Sequence, residues 1–523
     1  MRYDILMENG LVVDGAGNPW FKADVGVVGN HVESIGNLRD ADAERRIDCR
    51  GLVVAPGFID IHSHSDFPVL LDPRVESKVM QGVTVEVVGN CGTSAAPMNS
   101  EVRAYRERYM GDQFPSTFNW ETMEDYFNLI DRQGASFNVV ALVGQGTIRQ
   151  NIMGFEMRAP TDSELKAMKR LVAEAMADGA WGMSTGLIYT PSCYADTDEI
   201  VELTKVLPEY SGIYFSHIRG EGDTLLEAVK EAIEIGERAG VPVEIAHFKA
   251  SGRSNWGRTQ ESLELVEEAR KRGIDVTFDQ YPYIASSTGL TALLPKWASE
   301  GGAKRLLERL RDPEERLKMA EGLETDTRNW EKIVVAFAEN HSQYEGKAIS
   351  EIAEIEGKAP VDAAFDLLLA EEAQVNIVLF EMSEDDVRRV MRSPYMMVGS
   401  DGRAVAPHGI LGRGKPHPRY YGTFPRVLGY YVREGIVTLQ EAVRKMTSLP
   451  AQRLGLRDRG LLREGFKADV TIFDPRGIRD EATFTDPHRF PSGIPYVIVN
   501  GTLVVDKSTH TGALPGKALR KKK

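Results

Sequence analysis

Residues 57–64, GFIDIHSH, read as a short apolar strand that runs out into two histidines. Side chains two apart on an extended chain project to the same side, so His62 and His64 point into one space. Seven more segments share this texture: 83–91 VTVEVVGNC, 137–144 FNVVALVG, 179–186 GAWGMSTG, 212–219 GIYFSHIR, 242–249 PVEIAHFK, 274–282 IDVTFDQYP and 394–402 PYMMVGSDG. Helical patterns separate many of them, such as 162–179 DSELKAMKRLVAEAMADG and 224–240 TLLEAVKEAIEIGERAG, the latter with Gly240 placed as a C-cap. Eight strands alternating with helices predict an α/β fold, a (β/α)8 TIM-like barrel rather than an open sheet.

Two further apolar runs, 332–339 KIVVAFAE and 375–382 VNIVLFEM, exceed that count. Charged helical text around the first replaces a short connection, so an insertion over about 286–355 is expected between the last two barrel strands. Either extra run could join the barrel. Outside the barrel, 5–15 ILMENGLVVDG, 22–36 KADVGVVGNHVESIG and 45–57 RRIDCRGLVVAPG alternate apolar and polar residues between Gly and Asn breaks. The far end repeats this in 467–475 KADVTIFDP and 496–508 YVIVNGTLVVDKS, where Asn500-Gly501 is a hairpin turn. Residues 1–55 and 456–523 are therefore expected to form one small β-sandwich domain from both termini, around a barrel over 56–455.

A length of 523 residues divides into three or four average domains, but a barrel with additions absorbs it. The 42% hydrophobic and 27% charged content is that of a globular chain. A net charge of −14 repels phosphate backbones and argues against a nucleic-acid partner. The terminal Lys521, Lys522 and Lys523 read as a solvated basic end. No apolar run is long enough for a membrane span, and the start, MRYDILMENG, lacks a signal peptide's apolar core. Three scattered cysteines make no disulfide framework, so the cytoplasm is the default address. The oligomeric state is left open.

Active sites of such barrels lie at the C-terminal ends of the strands. There stand His62, His64, Cys91, His217, His247, Asp279 and Asp401, so four of ten histidines fall at three strand ends. That set predicts a metal, and a thiolate among imidazoles favours zinc over magnesium or calcium. Glycines on both sides of Asn90-Cys91 mark a tight turn rather than packed core, unlike the surroundings of Cys49 and Cys193. Two other motifs compete. Gly182-Met183-Ser184-Thr185-Gly186 matches the serine-hydrolase elbow, but loop text follows it where the elbow requires a helix. Gly144-Gln145-Gly146 begins like a dinucleotide fingerprint, but Arg149 stands where its last glycine belongs.

The stretch 55–66, APGFIDIHSHSD, resembles the first-strand signature of the amidohydrolase superfamily of metal-dependent hydrolases. The histidines of FSHIR and AHFK and the aspartate of GSDG are similar to its fifth, sixth and eighth strand positions. GAWGMSTG lacks the fourth-strand lysine of dihydropyrimidinase-like members, whereas the cysteine of VGNCG resembles the metal ligand of the D-aminoacylases, the N-acyl-D-amino-acid deacylases. Residues 417–460, HPRYYGTFPRVLGYYVREGIVTLQEAVRKMTSLPAQRLGLRDRG, also resemble that subfamily, and the likeness runs from Asp4 to about Val505.

The resemblance implies a tight zinc on Cys91, His217 and His247, and a second, weaker position at His62 and His64 with Cys91 bridging. It implies Asp401 as general base and then acid in hydrolysis of a small-molecule N-acyl amino acid. It also implies substrate contacts from Lys249, Tyr281, Ser287 and Tyr189. Arg219, beside the site in sequence, is a further candidate for a carboxylate. Rival readings are a dipeptidase or hydantoinase-like cyclic amidase, a serine hydrolase using Ser184, and a catalytically dead barrel kept as a scaffold.

Overall fold

The computed structural model describes residues 2–110, 119–324 and 329–522. The eight segments form eight parallel strands: β1 (Phe58–Asp60), β2 (Val83–Val88), β3 (Asn138–Ala141, continued by Val143–Gly144), β4 (Gly182–Gly186), β5 (Ile213–His217), β6 (Val243–Ile245), β7 (Val276–Gln280) and β8 (Met396–Val398). Each pairs with the next in order. A parallel bridge between Ser63 and Gly402 joins the last strand to the first and closes the barrel. The strands are buried along their whole length, as expected of a parallel sheet covered by helices.

Local chemistry sets the helices. Thr161 caps the helix Asp162–Ala177, accepting from the Glu164 amide while the Glu164 side chain reaches back. The helix Leu225–Ala239 stops at Gly240, which takes the left-handed conformation (φ 70°) that its place as C-cap requires.

Neither extra strand joins the barrel. Ser286–Gly289, Asn376–Leu379 and Ile333–Phe337 pair antiparallel, with Asn376–Leu379 in the middle. Leu306, Leu310, Val335, Ile352, Phe365 and Ile377 give this layer a hydrophobic core of its own. The insertion therefore extends past the expected end near 355, because its central strand comes last in sequence. The chain returns to the barrel through the helix Glu384–Arg392, whose Val387, Val390 and Met391 pack into the main core.

The strands from both termini are hydrogen-bonded into one nine-stranded sheet, not two separate ones. Along one edge of Arg2–Val12, the first residues pair with Asp42–Asp48 and the last with Val53–Pro56, so the sheet divides there. Met7, Val25, Val54, Val470 and Ile498 form one buried hydrophobic cluster along it.

The chain leading into the basic end is docked as far as Lys521. Gly516 donates to Ala135 O at 2.7 Å, Leu519 to Val139 O at 2.7 Å and Lys521 to Gly179 O at 2.9 Å. The Lys521 ammonium lies 4.9 Å from the centre of the Trp181 ring. Lys522 is exposed, and Lys523 lies outside the described residues.

Candidate metal centre

Five strand ends converge on one space. His62 and His64 follow β1, Cys91 lies in the turn after β2, His217 ends β5, His247 follows β6 and Asp401 follows β8. Cys91 (φ 53°), His247 (φ 35°) and Asp401 (φ 48°) are all left-handed, a conformation that non-glycine residues keep only where their surroundings hold it. The turn before Cys91 requires its glycine. At φ 81°, a Cβ on Gly89 would lie 2.2 Å from Leu142 O.

The donor atoms form two groups that share Cys91. Cys91, His217 and His247 make one, and His62, His64, Cys91 and Asp401 the other; within each, the ligand atoms lie within 4.8 Å of one another. Cys91 Sγ is 3.4 Å from His62 Nε2 and 3.6 Å from His247 Nε2, which is 2.8 Å from His217 Nδ1. Asp401 Oδ1 lies 3.0 Å from His64 Nε2 and 3.5 Å from His62 Nε2, and its Oδ2 2.8 Å from the Arg419 guanidinium.

Electrostatics favour the ligating forms of the cysteine and the aspartate. Burial would raise the Cys91 thiol, but the His62 charge and hydrogen bonds from His217 and His247 hold it well below the usual range. Burial likewise opposes ionisation of Asp401, and Arg419 with the imidazoles overrides it, leaving a carboxylate. A thiolate, imidazoles and a carboxylate packed this closely suit zinc, and His217 Nε2 is buried with no hydrogen-bond partner among the described residues.

Outer residues fix the ligands. His62 Nδ1 pairs with Asp279 Oδ2 at 3.0 Å, which turns Nε2 toward Cys91 and Asp401. Asp279 Oδ1 accepts the His247 amide at 2.9 Å. Glu221 Oε1 lies 2.9 Å from His247 Nδ1 and pairs with the Lys249 ammonium.

Two adjoining cavities, of about 330 and 220 Å³, open on the cluster. Tyr189, Ser287, Thr288 and Asp401 line both. Lys249 and Tyr281 line the smaller one, with Ile188, Ala292, Leu293 and Leu379 as apolar walls. The Tyr281 ring lies between two cations, 5.8 Å from Lys249 Nζ and 4.7 Å from the Arg419 guanidinium carbon. Arg419 and Arg403 line the larger cavity.

Arg219 is not brought to the site. The strand ends at His217, and the Arg219 guanidinium turns to Glu231 on the following helix, at 2.8 Å. Gln145 of the false dinucleotide motif is buried against Glu199 and Ser192. No motif in the sequence gives a role to Glu221 or Arg419. The only signals were the carboxylate in GEGD directly after FSHIR, and the arginine of HPRYY inside a stretch matched only as a whole.

The sequence pattern of the amidohydrolase family matches residues 45–505, and this span holds every member of the cluster. The chain belongs to the amidohydrolase family. This amidohydrolase is 38% identical over 518 residues to a D-aminoacylase of Alcaligenes xylosoxydans xylosoxydans, covering 99% of this chain and 97% of the relative. An N-acyl-D-glutamate deacylase of the same organism is 36% identical over 521 residues, covering 99% and 97%. Among solved structures, a D-aminoacylase superposes with a TM-score of 0.83 at 35% identity, covering 99% of this chain and 100% of that one. An N-acyl-D-glutamate deacylase from Bordetella bronchiseptica, complexed with zinc and a phosphonate mimic of the tetrahedral intermediate, gives 0.86 at 34% identity with the same coverage. A D-hydantoinase at 18% identity and a TM-score of 0.56 shares the fold alone. The amidohydrolase falls within the D-aminoacylase family.

Proposed function

We propose that this amidohydrolase cleaves the amide bond of N-acyl-D-amino acids, giving a carboxylate and a free D-amino acid. One observation carries the reading: the Asp401 carboxylate stands between the His62/His64 pair and Arg419, at the junction of two cavities beside a Cys91-centred donor set. Cys91, His217 and His247 would hold a tight zinc, and His62, His64 and Cys91 would line a second, weaker position. When bound, zinc supplies a water that ionises near neutral pH and a positive charge beside the scissile carbonyl.

The protein's own groups supply the proton transfers and the orientation. Asp401 takes a proton from the water whose oxygen bonds to the acyl carbon. It returns that proton to the nitrogen as the C–N bond breaks, so the amine leaves neutral. Lys249, its ammonium at the smaller cavity beside Tyr281 and Ser287, draws in the substrate's carboxylate and orients it. Tyr189, edge-on to His217 with ring centres 4.9 Å apart, lines both cavities and contacts the substrate there. The D configuration is taken from the relatives.

The test is a hydrolysis screen of N-acetyl amino acids in both enantiomers, with dipeptides and hydantoins alongside and zinc measured on the same sample. Expected is turnover of D-acyl substrates by zinc-containing protein. Equal or faster turnover of the L series, or of hydantoins, overturns the reading.

A further inference from the structure

Beneath the cluster lies a buried ammonium. Lys78 projects from the one-turn helix Glu76–Val79, and none of its side chain is exposed. Its Nζ lies 2.9 Å from Asp60 Oδ2 and 2.9 Å from Glu86 Oε1, and it donates to Ser400 Oγ at 2.7 Å and Gly402 O at 3.1 Å. A buried ammonium stays charged only when paired. Here two carboxylates and two neutral oxygens surround it.

These contacts join the strand ends that carry the site. Asp60 ends β1, two residues before His62. Glu86 belongs to β2, and its Oε2 accepts from the hydroxyl of Ser63, the residue between His62 and His64, at 3.0 Å. Ser400 and Gly402 flank Asp401. Asp60 Oδ1 accepts the Ser400 amide at 2.8 Å and Oδ2 accepts the Ser400 hydroxyl at 2.5 Å. Ser400 Oγ in turn accepts the Gly402 amide at 3.1 Å. Gly402 O receives the His64 amide at 3.0 Å, and Asp401 N donates to His62 O at 2.8 Å. Lys78 thus grips the residues on both sides of a left-handed aspartate whose conformation relies on outside support.

We propose that Lys78 is a positioning residue for the hydrolysis: through Ser400 and Gly402 it fixes the Asp401 carboxylate in its proton-transfer orientation, touching neither substrate nor metal ligand. This rests on Asp401 being the acid–base group. A purely structural ion cluster would influence melting alone. A positioning role influences turnover in a protein that stays folded and keeps its zinc.

The experiment compares zinc-loaded wild type, Ser400→Ala, Lys78→Met and Asp401→Asn. Each is assayed for kcat and KM on N-acetyl-D-methionine, zinc per chain and thermal melting, and a crystal structure is determined for Ser400→Ala. Ser400→Ala leaves the Lys78–Asp60–Glu86 ion cluster intact and cuts its hydroxyl link to the Asp401 turn. Expected are retained zinc, KM within about threefold and kcat reduced at least about tenfold, since a displacement near 1 Å can lower rates by about 100-fold. In the crystal, Asp401 Oδ1 moves away from His64. Lys78→Met strands two buried carboxylates; if it folds, the same loss of kcat is expected, and if it does not, Ser400→Ala decides. A Ser400→Ala enzyme that melts lower yet keeps kcat within about twofold and Asp401 in place, while Asp401→Asn is dead, overturns the proposal alone. An active Asp401→Asn overturns the acid–base assignment and this proposal together.

Discussion

Ser184 Oγ accepts the Gly92 amide at 3.0 Å and donates to the Gly89 carbonyl, so this hydroxyl ties together both ends of the turn that presents Cys91. The serine that the G-x-S-x-G motif offers as a nucleophile is buried and braces the turn of Cys91, a proposed metal ligand. Gly186 is followed by turns and a short 3-10 segment at Ser192–Tyr194, not by the helix a nucleophile elbow needs. Ser184→Ala should therefore keep turnover of N-acetyl-D-methionine within about tenfold, while chelation of the wild type abolishes it. Leaving the Gly92 amide unpaired costs about 1–3 kcal/mol, so a lower Tm is expected. A variant that keeps zinc, folds and loses all turnover would revive the serine mechanism.

Cys91→Ala should strip the tight zinc and abolish activity with the barrel intact. Cys91 is the donor shared by the two candidate groups among the described residues, so both lose their sulfur at once. The side chain is small, and the backbone turn is held independently by Ser184. Metal analysis with a circular dichroism melt checks this. Near-stoichiometric zinc with wild-type turnover returns Cys91 to the role of a small buried hydrophobe.

The barrel and the convergence of the histidines proposed as ligands are legible because both follow from short-range rules. Buried parallel strands read as apolar runs, and His62, His64, His217 and His247 stand at their ends, where β/α barrels place chemistry. Strand propensity does not say which sheet a strand enters. Residues 333–337 and 376–379 pair with each other instead of joining the barrel because each finds an antiparallel edge nearby. Arg219 misled for a similar reason. It lies two residues beyond His217, but the strand has ended and Glu231, on the next helix, captures its charge. Glu221, Arg419 and Lys78 stayed hidden because an isolated charge in a loop or helix carries no sign of the distant group it meets.

Side-chain preference follows from the walls of the smaller cavity. Ile188, Ala292, Leu293 and Leu379 line it, and Leu293 and Leu379 also pack with the insertion's core. An acidic substrate side chain would be desolvated there against apolar groups at a cost of about several kcal/mol. N-acetyl-D-leucine and N-acetyl-D-methionine should therefore have higher kcat/KM than N-acetyl-D-glutamate. The reverse order in the same assay refutes this.

The docked C-terminal end should support stability and not catalysis. Val139 N donates to Lys517 O at 2.9 Å and Trp181 Nε1 donates to Leu519 O, both beneath the start of the barrel strands and opposite the site. Deleting residues 514–523 leaves these buried donors unpaired, at about 1–3 kcal/mol each. A Tm lower by several degrees with kcat within about twofold is expected below the melting range. An unchanged Tm, or a kcat that collapses in folded protein, contradicts it.

Asp401→Asn should remove catalysis and keep zinc. Asparagine is nearly isosteric and tolerates the left-handed conformation at φ 48° as well as aspartate does, so the turn into Gly402 should persist. The bland alternative is that Asp401 only shapes this turn, in which case asparagine serves equally and turnover barely changes. The contacts argue otherwise. Both carboxylate oxygens are engaged, Oδ1 by His64 at 3.0 Å and Oδ2 by Arg419 at 2.8 Å, in a position that faces both cavities. An amide in this place cannot accept a proton at neutral pH, so the attacking water loses its base and the departing nitrogen its acid. General acid–base catalysis contributes about 10²–10⁴-fold, and one residue serving both steps points to the upper end. Turnover of N-acetyl-D-methionine and zinc per chain, measured together on both proteins, check it. Retained zinc with turnover within about tenfold of wild type sinks the assignment, because that is less than a general base ordinarily supplies.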